Sequence, residues 1–274
     1  MNQILSLNQL TSNCEPLSTD ALAKAFCNGA LRELQLTPKP GLVDQDNSGS
    51  HYDLDYEIME RSVKLLELFY RELLLLEVPT LDMLQLKRIG IDAEQRMFQY
   101  CGTNTHRGYI FLSGLTMLAF RNRSDLRSGI IELAHIYFQQ QIEMSHGEAV
   151  RHRYGVGGIM TESLLGLPAV FDHALPAYRQ ALLWGNEERA ALMVMARLMQ
   201  VIEDTTSYHR CGIAGINQIK NDGAYLEKCL NDGVDVTLWL RQCNAVYREM
   251  NLTMGGVADL MALTFALHEL KVCS

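Results

Sequence analysis

The residues of this chain whose types suit chemistry lie in five polar islands: "TPKPGLVDQDNSGSHYDLD" (37–55), "GTNTHRG" (102–108), "SHGEAVRHRYGVGG" (145–158), "EDTTSYHRCG" (203–212) and "NLTMGGVAD" (251–259). Each sets glycine beside His, Asp, Asn or Arg, next to an apolar segment. In the first island Lys39 stands between Pro38 and Pro40, which stiffen its backbone, and Gly41 permits a sharp turn. A lysine held this way suits a phosphate. His51, Asp53 and Asp55 form an H-x-D-x-D spacing just before a helical segment. Hard oxygen ligands there suit Mg²⁺, which keeps several waters and is shared with substrate phosphates. The plainer alternative is that Asp53 or Asp55 caps that helix, since aspartate is a strong N-cap.

The other islands carry similar alternatives. Thr103, Asn104, Thr105 and His106 precede a wholly apolar segment. Thr103 or Asn104 would serve as a cap there, but His106 and Arg107 exceed what a cap needs, and helix N-termini attract phosphate. His146 and Glu148 could act as acid and base or as metal ligands, or simply form a turn. "GVGG" (155–158) lacks the lysine and the preceding strand of a P-loop. Asp204, Thr205, His209 and Arg210 follow a strongly apolar segment. Asp259 falls on the first turn of the last helix, where an acidic residue is stabilising through the helix dipole alone.

The elements that must position these islands read as helices. "YEIMERSVKLLELFYRELLLLE" puts Ile58, Leu65, Phe69, Leu73 and Leu76 on one stripe, with Glu60, Arg61, Glu67 and Arg71 elsewhere. "RSGIIELAHIYFQQQIEM" and "NEERAALMVMARLMQVIED" behave alike. "GYIFLSGLTMLAF" and "VADLMALTFALHELK" are apolar nearly all round, as helices buried on every side would be. Strand alternation, internal repeats and linkers are absent from the pattern. The expected fold is one all-α domain over residues 1–274, with about ten or more helices.

Composition narrows the function classes. Of 274 residues 48% are hydrophobic and 20% charged, as in a globular chain with a sizeable core. The net charge of −8 argues against nucleic acid as a partner. The seven cysteines are odd in number and form no C-x-x-C pair, so neither a disulfide framework nor a cysteine zinc site is expected. The N-terminal residues have no basic run, and no apolar stretch approaches about 18 residues. A cytoplasmic protein that neither crosses nor binds a membrane is the expectation.

In order along the chain, "TPKPGLVDQDNSGSHYDLD", "GTNTHRGYIFLSGL", "GVGGIMTESLLGLPAV", "DTTSYHRCG" and "NLTMGGVADLMALT" resemble the triphosphoribosyl-dephospho-coenzyme A synthase family. That family makes the prosthetic-group precursor of citrate lyase and malonate decarboxylase. The resemblance implies that the 2′-hydroxyl of 3′-dephospho-coenzyme A attacks the anomeric carbon of ATP, releasing adenine and retaining the triphosphate. The transition state would be oxocarbenium-like, with a base for the hydroxyl and an acid for adenine. The triphosphate would need a cation clamp, Mg²⁺ helped by lysine or arginine. A prosthetic-group transferase or acyl carrier protein would be a protein partner.

Islands and resemblance together give Glu162, Asp204, His51 and His106 as catalytic candidates. Lys39, Asp44, Asn47, Thr103, Asn104, Thr105, Arg107, His146, Arg210, Gly255 and Gly256 are substrate-binding candidates, and Asp53, Asp55 and Asp259 metal-holding ones. The sequence departs from the family pattern where Met160 and Thr161 replace an expected arginine and glycine, and where Thr206 and Cys211 replace an expected asparagine and glycine. The alternative is therefore a diverged relative that uses another nucleotide or coenzyme A derivative, or one that binds without catalysis.

Overall fold

The computed structural model describes residues 18–76, 83–122, 125–139 and 157–272. Among the described residues there are eleven α-helices and no strand. They are α1 (Thr19–Gln35), α2 (Tyr56–Leu74), α3 (Met83–Cys101), α4 (Arg107–Asn122), α5 (Leu126–Gln139), α6 (Gly158–Leu164), α7 (Leu175–Leu182), α8 (Glu187–Val201), α9 (Thr205–Asn231), α10 (Thr237–Glu249) and α11 (Gly255–Glu269). A π-helical turn, Ala169–Ala174, leads into α7.

Several helices start where a short polar side chain takes up free N–H groups, as helix ends require. Ser18 accepts from the N–H of Ala21, Asp55 from that of Ile58, and Asn186 from that of Arg189. Asp55 therefore does what the plainer reading of its position expected.

The last helix, α11, is the hub. Val257 and every residue from Leu260 to Leu267 are buried on it, and it packs against α1, α4, α8 and α9. Helix α4 is buried along its whole inner length, from Leu112 to Ala119. Both helices therefore bury the residues that their all-apolar sequences predict. The stripe on α2 is rotated from its expected position: Met59, Ser62, Val63, Leu66, Phe69, Tyr70 and Leu73 are buried, while Ile58 and Leu65 are only half-buried. Two neighbours, α1 and α3, compete for that face, so the buried arc is wider than one row of leucines. One continuous hydrophobic cluster joins residues from α1 to α11, which makes the helices a single domain. Among the described residues, no helix is long and apolar enough to cross a membrane.

Candidate active site

The loop between α1 and α2 spends much of its polarity on holding itself in place. Asp44 is buried, and its carboxylate accepts N–H bonds from Lys39, Asp46 and Asn47 at 2.8–3.0 Å. The Asn47 side chain accepts from Gly49 N–H and from Asn244, whose own oxygen takes the Gly41 N–H. Gly41 has φ +70°, and a β-carbon there would stand 2.4 Å from the Leu252 carbonyl, so only glycine fits this approach. Lys39 corrects its expected role. Its ammonium is fully buried and bonds the Glu33 carboxylate, with a second bond of 2.6 Å to the Glu33 carbonyl. The lysine is an internal counter-ion that ties the loop to α1, because a buried charge needs a partner.

Two cavities meet beyond this loop. The larger, about 310 Å³, is lined by Glu94, Arg107, Gly108, Phe111, Tyr137, Phe138, Gly157, Ile159, Met160 and residues 202–206, with Gly256 and Asp259. The smaller, about 190 Å³, is lined by His51, Asn104, Thr105, His106 and Gly255 among others. Arg107, Gly108, Thr206 and Asp259 belong to both walls. The N-terminal ends of three long helices, α4, α9 and α11, therefore converge where the cavities touch. Their dipoles favour negative charge there. The three sequence islands at 102–108, 203–212 and 251–259 are these helix starts.

Asp204 joins two of the helices. Its Oδ1 accepts from the N–H groups of Thr206 and Ser207 at the start of α9, at 2.9 and 3.1 Å. Its Oδ2 accepts from Gly256 and Val257 at the start of α11, at 2.7 and 3.4 Å. With both oxygens so engaged, Asp204 is a joint between helix ends. The catalytic assignment is corrected accordingly, since no lone pair is left free for acid–base work.

Asp259 differs. Burial, and then the charges of Asp204 and Glu33, hold its carboxyl well above the usual carboxylate range, against the pull of the Tyr109 N–H. Burial raises Asp204 as well, but its four N–H donors require an ionised carboxylate. Of the two carboxyls, the surroundings thus favour the protonated form of Asp259 and the ionised form of Asp204.

His51 and His106 reach the smaller cavity as neutral rings. Burial, then the Arg210 charge, lowers His51 to about 4, and its Nε2 lies 3.0 Å from the Thr253 hydroxyl. Burial, then Lys39, lowers His106 to about 4. His106 Nε2 and Asn104 Oδ1 are buried with no hydrogen-bond partner among the described residues. Asn104 uses its amide to bond Glu94, and the Thr105 hydroxyl lies 3.3 Å from Met97 sulfur.

Other expected site residues do not converge. Asp55 caps α2, and Asp53 accepts from the Thr103 hydroxyl at 2.9 Å with His51 Nδ1 4.0 Å away. Neither Asp53 nor Asp55 lines the two cavities, and no group of three or more His, Cys, Asp or Glu able to hold a metal occurs among the described residues. The metal pair expected from H-x-D-x-D is thus split between a cap and a loop contact. Glu162 is half-buried and accepts the Ala169 N–H at 3.1 Å, bracing the π-helical turn, and it lines neither cavity. Arg210 bonds the Ser50 carbonyl and Asn251, again fastening the first loop. His146 lies outside the described residues.

Sequence reasoning missed Glu94, Glu203 and the rings of Phe111, Tyr137 and Phe138. These rings pack together with centroids 5.0–5.5 Å apart on the wall of the larger cavity. Glu94 sits in a mixed polar and apolar helix where nothing marks it off from a solvent-facing glutamate. Glu203 stands beside the conspicuous Asp204 in the same island. Among the described residues, Arg107 is the sole cationic side chain lining the larger cavity, and Met160 lines it where the family resemblance expects arginine nearby.

Comparison with known proteins places this geometry. Residues 19–274 match the model of the ATP:dephospho-CoA triphosphoribosyl transferase family. A probable 2-(5''-triphosphoribosyl)-3'-dephosphocoenzyme-A synthase of Azotobacter vinelandii is 34% identical, over 92% of this chain and 93% of its own length. The synthase of Pectobacterium atrosepticum is 32% identical, over 86% and 84%. A probable synthase of Streptococcus equi subsp. equi is 30% identical, over 89% and 95%. No solved structure matches the chain. The cavities at the helix ends thus belong to a chain matched from α1 to its last residue, and it is a member of the ATP:dephospho-CoA triphosphoribosyl transferase family.

Proposed function

We propose that residues 1–274 form one cytoplasmic catalytic domain that transfers the triphosphoribosyl group of ATP to the 2′-hydroxyl of 3′-dephospho-coenzyme A, releasing adenine. The observation that carries this reading is Asp259, a half-buried acid on the wall shared by two cavities where three helix N-termini meet. A transfer between two nucleotides needs two adjoining subsites, and the exchanged bond must lie at their junction.

The adenine of ATP occupies the smaller cavity. There the unpaired Asn104 Oδ1 suits its amino group, and neutral His106 offers Nε2 to the ring. The acceptor hydroxyl enters from the larger cavity. As its oxygen bonds to the anomeric carbon, the C–N bond breaks and its electron pair leaves with adenine. Protonated Asp259 supplies the proton that adenine takes. The hydroxyl proton passes to Glu94, whose carboxylate burial has already raised. The dipole at the start of α4, on the wall of both cavities, favours the retained phosphates.

Mg²⁺ fits this donor set. It needs only one or two protein carboxylates beside phosphates and water. Glu203 lines the cavity and bonds the Gly157 N–H through one oxygen, Oε2. When bound there, the ion would neutralise phosphate charge. The product would pass to a prosthetic-group transferase or acyl carrier protein.

The test is direct. Purified protein with ATP, Mg²⁺ and dephospho-coenzyme A should release adenine and form one product carrying both nucleotides' masses less adenine. ATP without acceptor should release far less. Nucleotide binding with no adenine above background would favour a binding protein instead.

A further inference from the structure

A third cavity continues from the larger one. It is a slot of about 60 Å³ between α2, α3, α4 and α5, with Phe69, Leu86, Ile110 and Leu115 in its walls. Glu94, Phe111 and Tyr137 line both spaces, so the slot opens from the wall where the acceptor nucleotide is placed. Its size decides what enters. At about 10–15 Å³ of such space per water, it holds the equivalent of about four to six waters. That admits an unbranched chain and excludes a purine or a ribose.

We infer that this slot receives the far end of the acceptor's pantetheine arm, the unbranched, amide-containing, thiol-ended β-alanyl-cysteamine portion, while the branched pantoyl part next to the diphosphate stays in the larger cavity. The occupant follows from continuity with the reaction site. An arm fixed to a nucleotide in the larger cavity runs along one of its walls, and this wall carries a slot of a size for the arm's far end. Arg107, on the wall of the larger cavity beside Glu94, is placed for the diphosphate from which the arm departs. The Lys87 ammonium lies 4.8 Å from the centroid of the Tyr137 ring at the slot, and both are suited to donate to amide oxygens of the arm. Ile91, 54% exposed, gives the slot an apolar lip that otherwise faces solvent. The inference rests on the transferase reading for the identity of the acceptor, and it adds which face of the site grips it.

The probes are dephospho-coenzyme A and ADP, which share the adenosine diphosphate and differ by the arm. Titration calorimetry on the full chain should show dephospho-coenzyme A binding at least tenfold tighter than ADP. Gly90→Leu fills the slot from α3. A β-carbon at Gly90 meets nothing within 4 Å, and leucine is a better helix former than glycine, so the melting temperature should hold or rise. This variant should lose at least tenfold in dephospho-coenzyme A affinity and leave ADP affinity unchanged. Ile91→Asp, at an exposed position, should do the same by placing a charge on the apolar lip.

Equal binding of the two probes by the wild type would overturn the inference. So would variants that fold normally but weaken both probes equally, or neither. Absence of adenine release by the wild type would defeat the transferase reading while leaving this binding comparison intact.

Discussion

Asp259 lies directly against the bare α-carbon of Gly108. A β-carbon on Gly108 would stand 1.9 Å from Asp259 Oδ2 and 2.9 Å from its Cγ. The first turns of α4 and α11 approach this closely only because residue 108 has no side chain. Gly108→Ala should therefore displace the acid at the junction of the two cavities. Overpacking of this kind costs about 1–3 kcal/mol, offset by at most about 1 kcal/mol from alanine's helix propensity. Adenine release should fall at least tenfold, a larger effect than the small shift in melting temperature. Wild-type turnover in this variant would remove Asp259 from the reaction.

Asp259 and Asp204 should respond oppositely to the same substitution. Asp259→Asn imitates the protonated acid, so stability should hold while turnover falls by about 10²–10⁴, the usual worth of a positioned acid or base. Asp204→Asn would turn an amide donor toward N–H groups that now bond a carboxylate. At about 1–3 kcal/mol for each buried group left unpaired, its melting temperature should drop clearly. Thermal melts and adenine assays on both variants check the contrast.

Asp259 also makes a pH prediction whose sign is fixed. Its folded-state pKa is raised above 3.8, so the folded protein holds a proton that the unfolded chain gives up. Its contribution to stability is full below about that value and is lost as pH rises toward the folded pKa. The melting temperature of Asp259→Asn relative to wild type should therefore climb as pH rises from acid toward neutral. A constant difference across that range would contradict the protonated state.

His51 acts in the reverse sense. It falls from 6.5 to about 4 on folding, so the native state resists its protonation. That contribution is full above pH 6.5 and is lost as pH falls toward about 4, with a slope of at most about 1.4 kcal/mol per pH unit for one proton. His51→Gln should flatten the acid limb of a denaturant-midpoint profile and leave the neutral region nearly unchanged. An unaltered acid limb would show that His51 is protonated at its ordinary pKa.

Asp55 separates capping from metal binding. Asn and Asp cap about equally well, so Asp55→Asn should leave both stability and turnover near wild type, while Asp55→Ala should cost about 1 kcal/mol. A fall in turnover by orders of magnitude at unchanged stability, partly restored by extra Mg²⁺, would return Asp55 to a metal role.

Much of the molecule was legible along the chain. The apolar runs of α4 and α11 announced buried central helices, because a segment apolar on all sides can satisfy itself only in the interior. The polar islands announced helix ends, because glycine and short polar side chains suit exposed N–H groups and tight turns. What those islands do was harder to read. Lys39, Asp44, Asn47 and Arg210 look like substrate-binding residues, yet they bond Glu33, loop N–H groups, Asn244 and the Ser50 carbonyl. Residue type gives a side chain's hydrogen-bonding capacity but not its partner. The partner depends on which segments lie within about 3 Å after folding.

The sequence by itself determined the helical class, the buried pair of helices, the family and the set of helix starts that carry polar groups. Each of these follows from local periodicity, local backbone preference or an ordered run of motifs. Only the tertiary structure decided that the starts of α4, α9 and α11 meet, that Asp204 joins two of them, and that Asp259 faces both cavities. It also brought Glu94 and Tyr137, 43 positions apart along the chain, to one wall. The physical reason is that a cavity is made by the faces that packing leaves unfilled. Which faces those are depends on how whole helices cross, and no single segment carries that information.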